Sequence, residues 1–282
     1  MTRVLPLVGL SLLFATACKK DGAIPSYILF STPVVVDASG HPVSSKITDL
    51  WVYVDDKPVG VWEPQRRIPV IAEGMAEVKL VAGIRRNGLV DDRVQYPFYS
   101  TWQQQVSLVK GQVATVDPQV RYFDGLDTWL ADFNSGSRFD TVQCTATLVL
   151  LPSDSTLVDQ GSQYGRISLG PGHDSYLGVS SGDAFTGTGS PVFLEMDYRS
   201  DTRVLVGVRY QLMGVQQQVG HVYLKPTKAS DGSMPWNKIY IDLSEPWAVS
   251  AAVDKRFFLK AALENGATSG TVDVDNIKLV RR

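Results

Sequence analysis

The sequence predicts an all-β protein in which an export signal precedes two β-sandwich domains. Apolar and polar residues alternate with a period of two in most predicted strands, and Gly, Pro, Asn and Asp residues separate those strands. No segment of the first half has the 3.6-residue periodicity of an amphipathic helix. The 24 glycines and 44% hydrophobic residues are typical of a folded, turn-rich chain rather than a disordered one.

The amino-terminal residues predict export. Residues 4–13 are mostly apolar, and the run is too short to span a bilayer, as in a cleaved signal peptide. Ala15 and Ala17 then place small side chains before Cys18. This order resembles the lipobox of bacterial lipoproteins, although Leu is more usual at the position of Ala15. The resemblance implies that residues 1–17 are removed and that Cys18 becomes a lipidated amino terminus carrying palmitate.

The residues after Cys18 suggest where the protein resides. Lys19 is not the Asp that favours inner-membrane retention, so the resemblance implies an outer-membrane lipoprotein. Charged residues after the cysteine also resemble the surface-export signal of Bacteroidetes-type lipoproteins. Residues 18–26 would be a tether, and the lipid would be the membrane anchor. The 27 basic and 29 acidic residues form no basic block of the kind that binds nucleic acid.

Residues 27–118 are predicted to form the first β-sandwich. Asn87 and Gly88 predict a hairpin, because both tolerate the positive φ of a type I′ turn. The strands and turns from Trp51 to Gly83 resemble a PEGA-type module, a small β-sandwich repeat of envelope proteins, although Asp56 stands where Gly is usual. The resemblance implies a spacer or interaction module without catalytic residues.

The second domain is predicted to cover residues 121–282, because Pro118 cannot donate to a strand ladder and ends the first domain. Residues 127–133 are predicted to form a helical turn. Residues 141–151 are predicted to form one strand that holds Cys144 as a small buried side chain.

Two later segments required a choice between structures. Residues 255–265 contain good helix formers, but their unbroken apolar alternation favours a strand. In the last strand the apolar parity switches between Val274 and Ile277, which predicts a β-bulge at Asp275-Asn276.

The motif order of the second half carries another resemblance, which depends on residues 165–169, 192–199, 236–243, 257–260 and 272–279. It is similar to the galactose-binding-like jelly roll shared by many carbohydrate-binding modules, and the closing Val-Asp-Val-Asp-Asn-Ile-Lys-Leu run is the most characteristic part. This fold hosts sugar binders, adhesion domains and structural modules. Such jelly rolls often hold a structural calcium ion near the last strand, and Asp275 is the candidate ligand.

The sequence offers little for catalysis, so we expect no enzyme and no cofactor beyond that calcium. The three histidines, His41, His173 and His221, have no metal-site spacing, and nucleophile-elbow and phosphate-loop motifs are absent. Glu195 and Asp197 would share one strand face, where they could serve acid–base chemistry, but a solvated face is the favoured interpretation.

Aromatic residues near predicted loops give the best functional clue. They are Trp129, Tyr176, Trp236 and Trp247. Such rings either stack on sugar faces or pack into the core. Trp236 with Asn237, and Tyr176 with Asp174 and His173, combine a ring with polar groups and are the candidate glycan sites.

Two functions follow from these patterns. One is a lipoprotein that binds a ligand, most plausibly glycan, through its jelly roll. The other is a non-catalytic structural or interaction subunit with envelope protein partners. Rings that converge on one concave surface would favour the ligand, whereas buried or dispersed rings would favour the scaffold.

Overall fold

The protein is described from a computed structural model over residues 23–182, 185, 189 and 191–282. Cys18, the predicted lipidation site, lies outside these residues. The strands of the first half are β1 (Ser26–Phe30), β2 (Val34–Val36), β3 (Asp49–Val54), β4 (Lys57–Trp62), β5 (Arg67–Val70), β6 (Gly74–Arg85), β7 (Arg93–Gln95), β8 (Trp102–Leu108), β9 (Val113–Val116) and β10 (Gln119–Arg121).

The second half also consists almost entirely of strands. Its elements are β11 (Asp127–Ala131), β12 (Phe139–Thr141), β13 (Leu148–Pro152), β14 (Gln163–Leu169), β15 (Ser175–Ser180), β16 (Val192–Ser200), β17 (Val204–Leu212), β18 (Val215–Leu224), β19 (Asn237–Asp242), α1 (Ser244–Trp247), β20 (Val253–Ala262) and β21 (Gly270–Arg281). The all-β prediction is confirmed. No helix in the described ranges is long and apolar enough to cross a membrane.

The first half places β4-β3-β6-β7 in one sheet, with β8 also paired to β6, and β5-β1-β9 in another. In β3, Leu50, Val52 and Val54 are buried as their alternation predicts. A tight turn with positive φ at Asp55 and Asp56 then leads into β4. Strand β10 pairs in parallel with β2, so pairing within the first half continues past Pro118. The domain limits, 27–118 and 121–282, stay predictions.

The second half is a jelly-roll β-sandwich. One sheet has the order β13-β14-β21-β16-β19 with β11 also paired to β21, and the other has the order β12-β15-β20-β17-β18. Their inner faces share one apolar core. Residues 253–262 form a strand, as predicted, and Phe257 and Leu259 point into that core.

The predicted bulge in the last strand is also confirmed. Strand β21 pairs Lys278 with Glu195 and Asp275 with Asp197, so two residues of β21 oppose the single Met196. Asn276 has a φ of 46° there. The extra residue turns the polar side chains before and after it toward the same outer face of the sheet.

Two predictions for the second half are wrong. Residues 127–131 form strand β11, not a helical turn, because they pair with β21 along their whole length. Residues 141–151 are not one strand, since β12 ends at Thr141 and β13 begins at Leu148. Cys144 therefore lies between strands, where its half-buried thiol packs at the edge of the core.

Candidate functional site

The outer face of the β16–β19–β21 sheet packs against the first half. Phe193, Tyr240 and Val280 belong to this face, yet they are buried in the apolar cluster of the first half. The Tyr96 ring lies edge-on to Phe193 and Tyr240, with centroid separations of 5.3 and 4.9 Å. The two halves therefore share an apolar interface.

The loop between β6 and β7 fixes this contact through Asn87. Its backbone N–H donates to the Tyr240 carbonyl at 2.8 Å, and its side-chain Oδ1 accepts from the Asp242 N–H at 2.9 Å. The positive φ values of Asn87 and Gly88 confirm the predicted turn geometry. The turn is thus part of the junction and not a free hairpin tip.

Glu195 and Asp197 do not form a solvated face, so that prediction is wrong. Both are covered by the first half, and they are 0% and 1% exposed. Glu195 accepts hydrogen bonds from the Tyr96 and Tyr122 hydroxyls, while Lys238 Nζ lies 3.7 Å from both carboxylates. Burial, reinforced by the Glu195 charge, raises the pKa of Tyr96 and Tyr122 well above the usual value, so both stay hydrogen-bond donors. These groups satisfy one another and leave no open site.

The surroundings of Asp275 do not fit the calcium ion that the resemblance implied. Its Oδ1 accepts from the Asn276 N–H at 2.8 Å, and its buried Oδ2 has no partner. The neighbouring Asp197 is engaged by Ser44 Oγ, Asn276 Nδ2 and the Lys238 ammonium. Among the residues described, no three His, Cys, Asp or Glu side chains form a group that could hold a metal. Burial raises the pKa of the Asp275 carboxyl to about 8, so it is a neutral acid at pH 7.

Trp236 immediately precedes β19 and lies beside Arg199 of β16. The Arg199 guanidinium lies 4.5 Å from the centroid of its ring, and Tyr164 lies edge-on at 5.6 Å. Arg199 is itself held by the buried Asp273 at 2.7 Å. One side of the indole is thus fixed by a cation–π contact, and its buried Nε1 has no acceptor.

The remainder of Trp236 borders open space between the two halves. A cavity of about 380 Å³ lies beside it and is lined also by Asn237, Lys46, Arg85 and Lys225. Lys46 Nζ donates to Asn237 Oδ1 at 2.5 Å, which joins the two halves across the cavity wall.

A second cavity of about 610 Å³ extends from the first and includes Tyr223, which is 66% exposed. We call the two together the junction cleft. The residues common to both cavities are Gly88, Tyr198, Lys225, Asn237 and Ile239. Trp236 lines the first cavity and Tyr223 lines the second, so each part of the cleft has an aromatic ring in its wall.

The second predicted group of site residues lies elsewhere. Tyr176 is 1% exposed in the jelly-roll core, so its ring offers no face for stacking. Asp174 and His173 lie in the exposed turn before β15, where Asp174 Oδ1 accepts from Thr145 Oγ1 at 2.8 Å and His173 Nδ1 lies 3.0 Å from the Thr145 carbonyl. None of these three residues lines the junction cleft.

The other two aromatic candidates are also core residues. Trp129 donates its indole N–H to the Ser181 carbonyl at 3.0 Å and packs edge-on to Phe257, and Trp247 is fully buried. Of the four rings named from the sequence, three are therefore buried and Trp236 borders a cleft. The sequence analysis did not single out Lys46, Arg85, Lys225 or Tyr223. None of the four had a local signal in the sequence, because Lys, Arg and Tyr side chains are common at protein surfaces.

Comparison with known proteins gives a limited result. No family profile matches the chain, and no curated protein matches its sequence. Solved structures that align with it include a family 29 carbohydrate-binding module (11% identity, TM-score 0.35), which spans 55% of this chain and 88% of that one. Another is the non-crystalline-cellulose-specific module of family 28 (12% identity, TM-score 0.37, 51% and 89% coverage). A third is the family 11 module from Clostridium thermocellum in complex with a β-1,3-1,4-mixed-linked tetrasaccharide (14% identity, TM-score 0.34, 54% and 94% coverage). At these values the likeness says nothing about a ligand of this chain.

Proposed function

We propose that this protein binds glycan in the junction cleft, with Trp236 as the platform for a sugar ring. The observation that carries the proposal is the position of a half-buried indole at the wall of an open cleft, directly beside the Asn237 amide. A sugar has an apolar C–H face and a rim of hydroxyls, so its site needs a flat apolar surface with polar groups next to it. The function is binding, without a reaction.

Arg199 makes this platform rigid. Its guanidinium covers one side of the indole and is in turn held by Asp273, so the ring loses little further freedom when a ligand binds. Tyr223 would offer a second ring in the other cavity of the cleft, which favours an oligosaccharide over a single sugar.

The test is a binding series with variants of Trp236. Trp236→Ala should weaken binding to an immobilised polysaccharide panel by about 1–3 kcal/mol, roughly 5- to 150-fold, while Trp236→Phe should retain most of the affinity. The matched control is Tyr27→Ala, which removes a half-buried ring that also carries an arginine, Arg67, 3.6 Å from its centroid but lies outside the cleft. Equal affinity of Trp236→Ala and wild type, with both folded by circular dichroism, would contradict the proposal.

A lipid anchor completes the proposal. Acylated Cys18 would hold the protein at the outer membrane, where the cleft could meet glycan at the cell surface. Support comes from the lipobox resemblance of the sequence. Palmitate labelling should be lost in Cys18→Ala cells, and a variant that is still processed and labelled would refute the anchor.

A structural or interaction role in an envelope complex is the second candidate. Burial of Trp129, Tyr176 and Trp247 favours it under the criterion set from the sequence. If the intact protein binds no polysaccharide at millimolar ligand, and a pull-down from envelope extract recovers a stoichiometric partner, this function replaces glycan binding.

A further inference from the structure

The cavity beside Trp236 has an unusual concentration of positive charge. Four cationic side chains line it, namely Lys46, Arg85, Lys225 and Lys238, and no Asp or Glu side chain does, whereas Asp91 lines the second cavity of the cleft. The chain as a whole carries a formal net charge of −2, so overall composition does not account for this cluster.

Most of these cations lack a carboxylate. Lys238 lies 3.7 Å from both Glu195 and Asp197 and is compensated. Within the described part of the chain, Lys46, Arg85 and Lys225 have no salt bridge. Some other cations of the first half have one, for example Lys79 with Asp56 and Arg93 with Asp49, whereas no salt bridge of Lys57, Arg67 or Arg121 is present among the described residues. The pairing pattern therefore leaves three charges for the cavity.

The local environment of two of these cations shows the lack of compensation. Burial and then the charge of Arg85 lower the pKa of Lys46, which indicates that no anion offsets the two groups. The buried Arg85 Nε has no hydrogen-bond acceptor. A buried donor without an acceptor is costly, so the protein itself leaves the Arg85 guanidinium incompletely compensated.

We infer that the glycan bound in the junction cleft is anionic, and that Lys46, Arg85 and Lys225 bind its carboxylate or sulfate groups while Trp236 stacks on its ring. This inference rests on the proposed function and adds the charge of the ligand. A neutral glycan would leave the three cations without an anionic partner, and Lys46 with the Asn237 amide oxygen, whereas uronate or sulfate oxygens accept charge-assisted hydrogen bonds from ammonium and guanidinium groups.

Two matched pairs of polymers separate the chemistries. Polygalacturonate and its methyl ester differ in carboxylate charge, and dextran sulfate and dextran differ in sulfate. The full-length chain in detergent should bind at least one charged polymer tenfold or more tightly than its neutral counterpart. The pair that shows the difference identifies carboxylate or sulfate, and added NaCl should weaken the interaction because salt screens exposed charges.

Charge-neutralising variants test the residues. Lys46→Gln, Arg85→Gln and Lys225→Gln should each weaken binding of the preferred charged polymer by roughly fivefold, as expected for partly exposed ion pairs. Lys260→Gln is the control, since this exposed lysine of β20 lies outside the cleft and should have wild-type affinity. Trp236→Ala, measured on the same polymers, reports on the glycan site itself.

The two proposals fail in different ways. If each charged polymer and its neutral counterpart bind equally, and only Trp236→Ala loses affinity, the glycan site stands and the anionic ligand is refuted. If Lys260→Gln weakens binding as much as Lys46→Gln, the polymer is attracted by positive charge anywhere on the protein and not by the cavity, and the inference is also refuted. If duplex DNA binds as tightly as the charged polymers and Trp236→Ala has no effect, or if no polymer binds, both proposals fall.

Discussion

Removal of the buried charge of Asp273 should destabilise the protein. It should also loosen Trp236, the proposed platform for a sugar ring. Asp273 is 0% exposed and accepts two hydrogen bonds from Arg166 at 2.6 and 2.7 Å and one from Arg199 at 2.7 Å. At an effective dielectric constant of about 20, each pair of charges about 4 Å apart attracts by about 4 kcal/mol before desolvation is subtracted. Asp273→Asn keeps the shape of the side chain, removes the carboxylate that pairs with Arg166, and leaves Arg199 with Asp154 as its carboxylate partner.

Breaking such a buried pair costs about 3–5 kcal/mol. The Arg166 side chain is 33% exposed, so water can compensate part of its charge, and we expect a loss of free energy of unfolding near 3 kcal/mol. For a chain of this size the melting temperature should fall by roughly 5 °C. Urea unfolding followed by tryptophan fluorescence gives the midpoint and slope. The same variant should bind glycan less tightly, because Arg199, with Asp154 as its remaining carboxylate partner, is held less firmly against Trp236.

The control is Asp56→Asn. Asp56 is 79% exposed in its pair with Lys79, so this variant should keep the wild-type midpoint. The reasoning would be refuted if Asp273→Asn also unfolded at the wild-type urea concentration, because the buried carboxylate would then contribute no net stability. A lower midpoint with unchanged glycan affinity would separate the two roles and refute only the link to Trp236.

Two further predictions concern stability. The folded-state pKa of Asp275, about 8, lies above its unfolded value, so wild-type stability should fall as pH rises between about pH 4 and pH 8. The free energy of unfolding of Asp275→Asn minus that of wild type should therefore grow by up to about 1.4 kcal/mol per pH unit in urea titrations over that window, and a constant difference would contradict it. In Gly207→Ala the added Cβ would lie 2.2 Å from the Val219 carbonyl oxygen and 2.6 Å from the Phe258 ring, which should cost about 1–3 kcal/mol. Gly170→Ala meets nothing closer than 3.8 Å and should not destabilise, and equal urea midpoints for the two variants would refute the packing argument.

Local patterns in the sequence were sufficient to predict a strand wherever one face of that strand is buried in the core of its own domain. The alternation of residues 255–265 predicted β20, and the parity switch after Val274 predicted the bulge, because a shift of one residue moves every later side chain to the other face. Residues 127–131 had no comparable pattern. Their strand depends on pairing with β21 about 150 residues later in the chain, which local composition does not encode.

The same limit explains the mistaken prediction for Glu195 and Asp197. Their spacing correctly places them on one face of β16, but burial of that face depends on the first half, which supplies Tyr96 and Tyr122 as hydrogen-bond donors. Trp236 and Asn237 could be identified as a candidate pair because they are adjacent in sequence. Lys46 and Arg85 could not, since more than 150 residues separate each of them from Trp236.

The charge of the cleft follows from how the two halves meet. On the outer face of the sheet, Asp273 is matched by Arg166 and Arg199 of the same sheet, and Asp242 is matched by Arg86 of the first half. Lys46 and Arg85 come from the first half and meet no unmatched carboxylate there, so their charge is in excess once the halves are in contact. The basic cavity therefore exists only in the assembled two-part structure. Loss of the Asn87 hydrogen bonds to Tyr240 and Asp242 should loosen the junction. Such a variant should lose its charge-dependent affinity for the polymers while both sandwiches are still folded.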